Sequence, residues 1–253
     1  MCVQIRVANE AEASLNSFDA NIIFFLNQFA RRSSSLDYLI MLIGSNTLTK
    51  GCVITSLIWW AWFRSGVNKI RDREYLLCGI LACVISVFVA RALADTLPYR
   101  ERPCLSAALH FQLPYHVDVS SQVIHWSSFP SDHAALFFAL ATSIFFVSRG
   151  AGILALCHAL VVVSLPRVYM GFHYPTDILA GAVIGVGSAS LAKISAVRAS
   201  VTRPAMYWLE RFPGAFYAFL FILTFLITVV FDPVRKIFVF AFGIMESVLH
   251  RLH

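Results

Sequence analysis

The sequence predicts an all-α fold: a polytopic membrane helical bundle with about six transmembrane helices and interfacial N-terminal helices. Hydrophobic residues make up 58% of the 253 residues and charged residues 13%, whereas a soluble domain has about 45–50% apolar and about 25% charged residues. Six apolar segments approach the length of about 17–25 residues that a bilayer-crossing helix needs. The net charge of +6 is spread over the connections between these segments. This pattern is typical of a membrane protein and argues against a nucleic-acid partner.

The first 45 residues are predicted to form an N-terminal unit that lies at the membrane interface. Two apolar stretches within 18–44 are separated by Arg31-Arg32-Ser33-Ser34-Ser35, and each stretch is too short to span. A hairpin inserted into the membrane is the alternative. Residues 1–14 have no apolar core behind a basic start, which is unlike a secretory signal.

The bundle itself is predicted over residues 46–231. Its six spans are expected at roughly 46–63, 75–94, 134–149, 151–166, 177–195 and 214–231. The fifth span contains Gly181-x-x-x-Gly185, which predicts close helix packing. Residues 232–253 form an amphipathic C-terminal tail that either lies on the surface or begins a seventh span.

Loop charge predicts the orientation of the bundle. Basic residues are concentrated in 64–74, at Arg149 and in 193–213, which fall on one side and are expected to be cytoplasmic. The loops 95–133 and 167–176 then lie on the external side, with both termini.

Cofactor and metal chemistry have no sequence signal here. The six cysteines are scattered without a C-x-x-C pair, and most lie in apolar runs, where Cys acts as a small hydrophobe. No Rossmann or P-loop glycine pattern is present. We therefore expect no metal and no cofactor.

The two external loops carry the polar residues of most interest. One ends in Pro130-Ser131-Asp132-His133 and the other runs from Arg167 to Asp177, and each directly precedes an apolar helix. Two helix N-termini on one membrane face provide backbone N–H groups and positive dipole ends, which suit an anion. Arginines on the same side can bind phosphate through paired hydrogen bonds: Arg91, Arg100, Arg102 and Arg167.

Three titratable residues complete a candidate phosphoryl-transfer site. His173 and Asp177 are four residues apart, so the carboxylate can accept one ring N–H and leave the other nitrogen as a nucleophile. His133 follows a Ser cap and can donate a proton to a leaving oxygen. A single histidine near a membrane interface usually just places its polar ring among the headgroups. A single arginine at a helix end usually extends its charged group to the lipid headgroups. Their combination on one face favours catalysis.

These motifs resemble the type 2 phosphatidic acid phosphatase superfamily, whose motifs are K-x6-R-P, P-S-G-H and S-R-x5-H-x3-D. The third motif matches from Arg167 through His173 to Asp177, with Pro166 in place of Ser. The second matches at 130–133, with Asp132 in place of Gly. The first matches only at Arg102-Pro103, with Arg91 as the nearest cation to the Lys position.

The resemblance implies a metal-independent lipid phosphatase that works through a phosphohistidine on His173. It implies that His133 is the acid and that Arg91, Arg100, Arg102, Arg167 and Ser131 hold the phosphoryl oxygens. Implied substrates are undecaprenyl diphosphate, phosphatidate, phosphatidylglycerophosphate and lipid A phosphates. The implied location is a bacterial inner membrane with the site on the periplasmic face. The insert 104–128, with His110, His116, His125 and Trp126, is expected to cover the site.

Two other functions stay open at this point. A phosphotransferase would pass the phosphoryl group to a second lipid or a sugar instead of water. A non-enzymatic lipid transporter or scaffold would use the same bundle without chemistry.

Overall fold

The computed structural model describes residues 16–119 and 126–229, and the regular structure within these ranges is entirely helical. The all-α prediction is therefore confirmed, whereas the predicted tail at 232–253 lies outside the described residues. The helices are α1 (Ser17–Asn27), α2 (Ser34–Ser45), α3 (Thr47–Phe63), α4 (Lys69–Thr96), α5 (Asp132–Val147), α6 (Arg149–His158), α7 (Leu165–Tyr169), α8 (Pro175–Ser190), α9 (Ser195–Arg211) and α10 (Pro213–Thr228).

Helix length and composition identify an integral membrane protein. Three continuous stretches are long and apolar enough to cross a bilayer: α4, Arg149–Tyr169 (α6 and α7 joined by a π-helical segment), and Pro175–Lys193. Helices α2 and α3 meet at a 53° bend and make a fourth if the pair is one broken span. Helices α5 and α10 are apolar but shorter. Helices thus occupy all six predicted positions, but the described residues give three to four spans by this criterion.

The boundary predicted at residue 45 falls at a bend inside the structure. Asn46 separates α2 from α3, and its side-chain oxygen accepts a hydrogen bond from the Leu48 N–H at 2.8 Å. A local cap of this kind starts a new helix without a long connection. The second N-terminal helix therefore continues into the first predicted span.

The segment 193–213, predicted as a loop from its basic charge, consists mostly of the helix α9 (Ser195–Arg211). Its buried residues Thr202 and Leu209 pack inward. Arg198 donates hydrogen bonds to Glu74 at 3.2 Å and to the Ala192 carbonyl at 2.7 Å. A basic helix with one packed face satisfies its own backbone groups, which an irregular loop next to lipid does not.

Helix α5 lies at the centre of the bundle, against α4, α6 and α8. A side-chain carbon added to Gly181 or Gly185 of α8 would overlap the backbone of Ser131 or Ala135 at the start of α5. The glycines therefore allow the two helices to approach closely, as the G-x-x-x-G pattern predicted. This packing brings the N-termini of α5 and α8 together.

The N-terminal helices dock at the same end of the bundle. Ile23 of α1 is buried against Leu109, Val168, Tyr174 and Ile178. Hydrogen bonds also tie α1 and the α1–α2 turn to the loop after α4: Asn27 to the Gln112 carbonyl at 2.7 Å, and Arg31 to the Leu113 carbonyl at 2.8 Å.

Candidate active site

Two helix starts form the floor of the site. The Ser131 N–H donates to the Asp177 carbonyl at 3.1 Å, which joins the start of α5 to the first turn of α8. Ser131 caps α5 by accepting the Ala134 N–H. Asp177 caps α8 by accepting the Tyr174 N–H at 2.7 Å, and Pro175 occupies the first turn. The two N-termini that the sequence placed on one face are thus adjacent, and both have the partial positive charge that favours an anion.

His173 lies in the short loop before α8 and is 3% exposed. Its Nδ1 is 2.8 Å from the Ser128 carbonyl oxygen and 3.6 Å from Asp177 Oδ2. A carbonyl oxygen can only accept, so Nδ1 carries the proton and Nε2 keeps its lone pair. The sequence predicted Asp177 as the acceptor of this proton. In the structure the Ser128 carbonyl is the nearer acceptor, and the Asp177 carboxylate also accepts the Tyr174 N–H and Arg100.

The surroundings of His173 keep its ring neutral. Burial lowers the pKa of His173, the nearby Asp177 carboxylate acts in the opposite direction, and the guanidinium groups of Arg167 and Arg102 lower the pKa again. A neutral ring with a free Nε2 has the protonation state that a nucleophile needs.

His133 is held at both ring nitrogens. Nδ1 is 2.9 Å from Asp132 Oδ1, and Nε2 is 2.7 Å from Nη2 of Arg167. Because a guanidinium only donates, Nε2 is an acceptor in this arrangement and Nδ1 carries the proton. Asp132, where the resembled motif has Gly, thus fixes the tautomer of the adjacent histidine.

Asp132 is also paired with Arg91. The two side chains form an ion pair, and the Arg91 guanidinium stacks on the Trp126 ring at 4.3 Å. The Arg91 side chain remains 33% exposed. Arg91 is therefore paired with the residue before His133, and its charge offsets that of Asp132.

Arg100 is held by protein groups rather than directed at open space. Nη1 donates to Asp177 Oδ1 at 2.5 Å and to Thr176 Oγ1 at 2.8 Å, and Nη2 donates to Asp19 Oδ2 at 2.7 Å. The guanidinium also lies 4.0 Å above the Tyr174 ring. Two carboxylates already neutralise Arg100, which differs from the predicted phosphate contact.

Arg102 contacts the backbone of the His173 loop. It is 9% exposed, and Nη1 donates to the Phe172 carbonyl at 2.6 Å, one residue from His173. The adjacent Cys104 N–H donates to the Gly171 carbonyl at 2.9 Å. Gly171 has φ +73°, and a side-chain carbon there would meet Phe111 and Cys104. Only glycine fits this close approach in a left-handed conformation.

The insert predicted to cover the site is attached mainly to the N-terminal helices. His116 contacts the Ser34 hydroxyl at 3.0 Å, and the Tyr115 N–H donates to Asp37 at 2.9 Å. Trp126 reaches the site through Arg91, and Phe111 covers Gly171. His110 is exposed in a left-handed turn, and His125 lies outside the described residues.

Sequence reasoning missed three contributors. Ser128 supplies the carbonyl acceptor for His173, and a backbone acceptor has no signature in its residue type. Thr176 and Asp19 hold Arg100. Asp19 did have a signal, because a carboxylate inside an apolar helix is costly and usually has a specific partner.

Comparisons with known proteins agree with the motifs. A sequence model of the PAP2 superfamily matches residues 74–201, which is half of the chain. A bacitracin transport permease protein BcrC of Bacillus licheniformis is 46% identical over 63 residues, which cover 25% of this chain and 30% of that protein. The undecaprenyl-diphosphatase BcrC of Bacillus subtilis is 25% identical over 166 residues, which cover 64% of this chain and 75% of the relative.

One solved structure matches this chain with low sequence identity and low structural similarity. It is a transmembrane PAP2 type phosphatidylglycerolphosphate phosphatase from Bacillus subtilis, with 20% identity and a TM-score of 0.35. The alignment covers 78% of this chain and 87% of that chain. The family assignment therefore rests on the sequence match.

Proposed function

Because the chain belongs to the PAP2 superfamily, we propose that it is an integral membrane lipid phosphatase that hydrolyses a lipid phosphomonoester or diphosphate through a phosphohistidine. The observation that carries this proposal is the fixed ring of His173. Its Nδ1 proton is directed at the Ser128 carbonyl, which leaves Nε2 to attack phosphorus. Arg102 and Arg167 are close enough to His173 to act on its charge.

In the first step, Nε2 of His173 forms a bond to phosphorus while the bond from phosphorus to the leaving oxygen breaks. Arg102, Arg167 and Ser131, together with the positive dipole ends of α5 and α8, stabilise the charge on the phosphoryl oxygens. Arg91 supplies a further cation at the edge of the site. We propose a scaffold role for Arg100 in place of the phosphate contact, because its donors already meet Asp19, Thr176 and Asp177.

His133 supplies the proton for the leaving oxygen. In the ligand-free arrangement its Nε2 accepts from Arg167. A bound phosphate draws the Arg167 guanidinium to itself and places negative charge beside Nε2, which favours the protonated ring, so that Nε2 takes up a proton from solvent. The Nε2 proton then moves to the leaving oxygen as the bond to phosphorus breaks.

In the second step, water attacks the phosphohistidine. An oxygen–phosphorus bond forms, the nitrogen–phosphorus bond breaks, and a proton of the water returns to Nε2 of His133. Inorganic phosphate leaves, Nε2 of His133 releases its proton to solvent as Arg167 resumes its contact, and both histidines are then back in their starting states. No step in this scheme passes through a metal ion.

A lipid phosphate suits the position of the site. The histidines lie at the ends of apolar helices, where a headgroup can enter from the bilayer between helices. The Bacillus subtilis relative is named an undecaprenyl-diphosphatase, and we propose undecaprenyl diphosphate as the first substrate to test. The loop charges favour a site on the external face, which in a bacterium is the periplasmic side of the inner membrane.

The test is phosphate release by purified, detergent-solubilised protein in EDTA across a lipid panel. The panel contains undecaprenyl diphosphate and monophosphate, phosphatidate, phosphatidylglycerophosphate and lipid A. We expect release from at least one lipid, a loss of at least about 10³-fold in His173→Ala, and unchanged release in the matched control His110→Asn. Activity that requires a metal, or that survives His173→Ala, would overturn the mechanism. Release that appears only after an acceptor lipid is added would identify a phosphotransferase.

A further inference from the structure

We infer that Asp19, on the N-terminal helix α1, is a positioning residue of the catalytic site. This inference deepens the proposed function and rests on it. Asp19 lies outside the segment 74–201 that matches the family model, yet its side chain contacts Thr176, three residues after His173. The N-terminal helix is therefore part of the machinery and not only a membrane contact.

The Asp19 carboxylate is fully buried and fully used. Oδ1 accepts the Thr176 N–H at 2.9 Å, and Oδ2 accepts the Thr176 hydroxyl at 2.6 Å and Nη2 of Arg100 at 2.7 Å. Its exposed fraction is 0%. A buried charge is retained only where paired donors offset the loss of hydration. The three donors from Thr176 and Arg100 therefore hold the buried carboxylate in this one position.

Asp19 is not needed to start its own helix. The side chain of Asn16 caps α1 by accepting the Asp19 N–H at 2.7 Å. An acidic residue in a first helical turn is favourable even when it faces water, but Asp19 instead turns inward to α8. Docking of α1 has an independent apolar contribution from Ile23, which belongs to the same buried apolar cluster as Tyr174 and Ile178.

The link from Asp19 to the nucleophile runs through Arg100. Arg100 bridges Asp19 and Asp177, and Asp177 in turn accepts the N–H of Tyr174, the residue after His173. Loss of Asp19 leaves two donors of Thr176 and one of Arg100 without their acceptor in a buried place. The start of α8 and the His173 loop then lose the support that keeps Nε2 in line with phosphorus. A misplacement of about 1 Å can cost about 10²-fold in rate.

The experiment measures kcat and KM of the full-length protein in detergent with the lipid that the wild type hydrolyses. The variants are Asp19→Asn, Asp19→Ala, Arg100→Ala and the double variant that combines Asp19→Asn with Arg100→Ala. The matched control is Asp37→Asn. Asp37 is also fully buried near the N-terminus, and it accepts the N–H groups of Arg31 and Tyr115 and the Tyr169 hydroxyl. Thermal unfolding is recorded for every variant.

We expect Asp19→Asn to lower kcat by at least about tenfold with KM within about threefold, and Asp19→Ala to lower kcat further. Asp37→Asn loses comparable thermal stability but keeps kcat within about threefold. The double variant loses less kcat than the two single losses combined, because Asp19 and Arg100 act partly through their shared contact.

Three results would overturn the inference: Asp19→Asn with wild-type kcat, an equal loss of kcat in Asp37→Asn, or additive losses in the double variant. If Asp19→Asn does not fold, Thr176→Val decides instead, because it removes the hydroxyl contact at nearly constant volume. Wild-type kcat in Thr176→Val would then also overturn it. If the wild-type protein is inactive on every lipid, the proposed function fails. If the wild type is active and Asp19→Asn keeps its kcat, only the inference about Asp19 fails.

Discussion

Nη2 of Arg167 lies 2.7 Å from Nε2 of His133, so the guanidinium occupies the nitrogen that we propose as the proton donor. This contact brings together the residues that we propose as a phosphate-binding cation and as the acid. A substrate oxygen that takes over the Arg167 contact frees Nε2 in the same movement. In the proposed mechanism, one hydrogen bond therefore links substrate binding to activation of the acid.

The first prediction concerns Arg167. Arg167→Lys keeps the charge but loses the planar pair of donors, so it cannot hold a phosphoryl oxygen and release His133 as the guanidinium does. We expect kcat/KM for lipid phosphate hydrolysis to fall by about 10²–10³-fold, the range for loss of one charge-stabilising donor. The matched control is Arg203→Lys, an exposed arginine of α9. Equal effects of the two substitutions would contradict this role.

The second prediction concerns Asp132. Asp132→Asn removes the negative charge that fixes the proton on Nδ1 of His133, and an amide N–H at that place favours the wrong tautomer. We expect kcat to fall by about 10–10²-fold on a phosphomonoester, whose alcohol leaving group needs the acid. The loss on a diphosphate is expected to be smaller, because its leaving group is less basic. Kinetics on matched mono- and diphosphates give the comparison, and identical losses would refute the assignment.

The third prediction concerns pH. The pKa of His173 is lowered, so the folded enzyme keeps a neutral nucleophile at pH values where an ordinary histidine is protonated. The acidic limb of kcat/KM that reports this group is therefore expected below the ordinary histidine value of about 6.5. The same shift costs stability as pH falls, because the unfolded chain takes up this proton first. An acidic limb at or above pH 6.5 in EDTA would argue against a buried neutral nucleophile.

The fourth prediction concerns the packing of α8 on α5. Gly185→Ala places a carbon against the backbone of Ala135, whereas Gly187, two residues along, has no heavy atom within 4 Å of the added carbon. We expect Gly185→Ala to lower the free energy of unfolding by about 1–3 kcal/mol. Gly187→Ala should leave it unchanged or slightly raised, since alanine favours the helix. Thermal unfolding in one detergent tests both, and equal stabilities would show that the helices have room to adjust.

Hydropathy and motif spacing predicted the helical class and the residues that meet at the site. The starts of α5 and α8 come together because Gly181 and Gly185 allow close packing, and both features are visible in the sequence. The prediction of a loop at 193–213 was wrong because it relied on charge alone. This basic segment packs one face against the bundle and forms a helix there. The bend at Asn46 arises from a local helix cap, which hydropathy averaged over a long stretch of sequence does not detect.

The spacing of residues in the sequence could not predict which hydrogen-bond partners the site residues have. The four-residue step from His173 to Asp177 allowed a ring–carboxylate hydrogen bond, but the Ser128 carbonyl from another segment lies nearer. Arg100 and Arg102 are equivalent by position in sequence, yet Asp19 from α1 selects Arg100 as its partner. Both outcomes depend on tertiary contacts between segments that are far apart along the chain.

The most direct test of the central claim is to trap the phosphoenzyme. The purified protein is mixed in EDTA with lipid substrate labelled at the phosphoryl group that is transferred, quenched in alkali within one turnover, and mapped by mass spectrometry. The proposed mechanism predicts an acid-labile, alkali-stable phosphoryl group on Nε2 of His173 that forms in Asp19→Asn more slowly and in His173→Ala not at all. Label on another residue, or turnover with no phosphoenzyme at any time point, would contradict it.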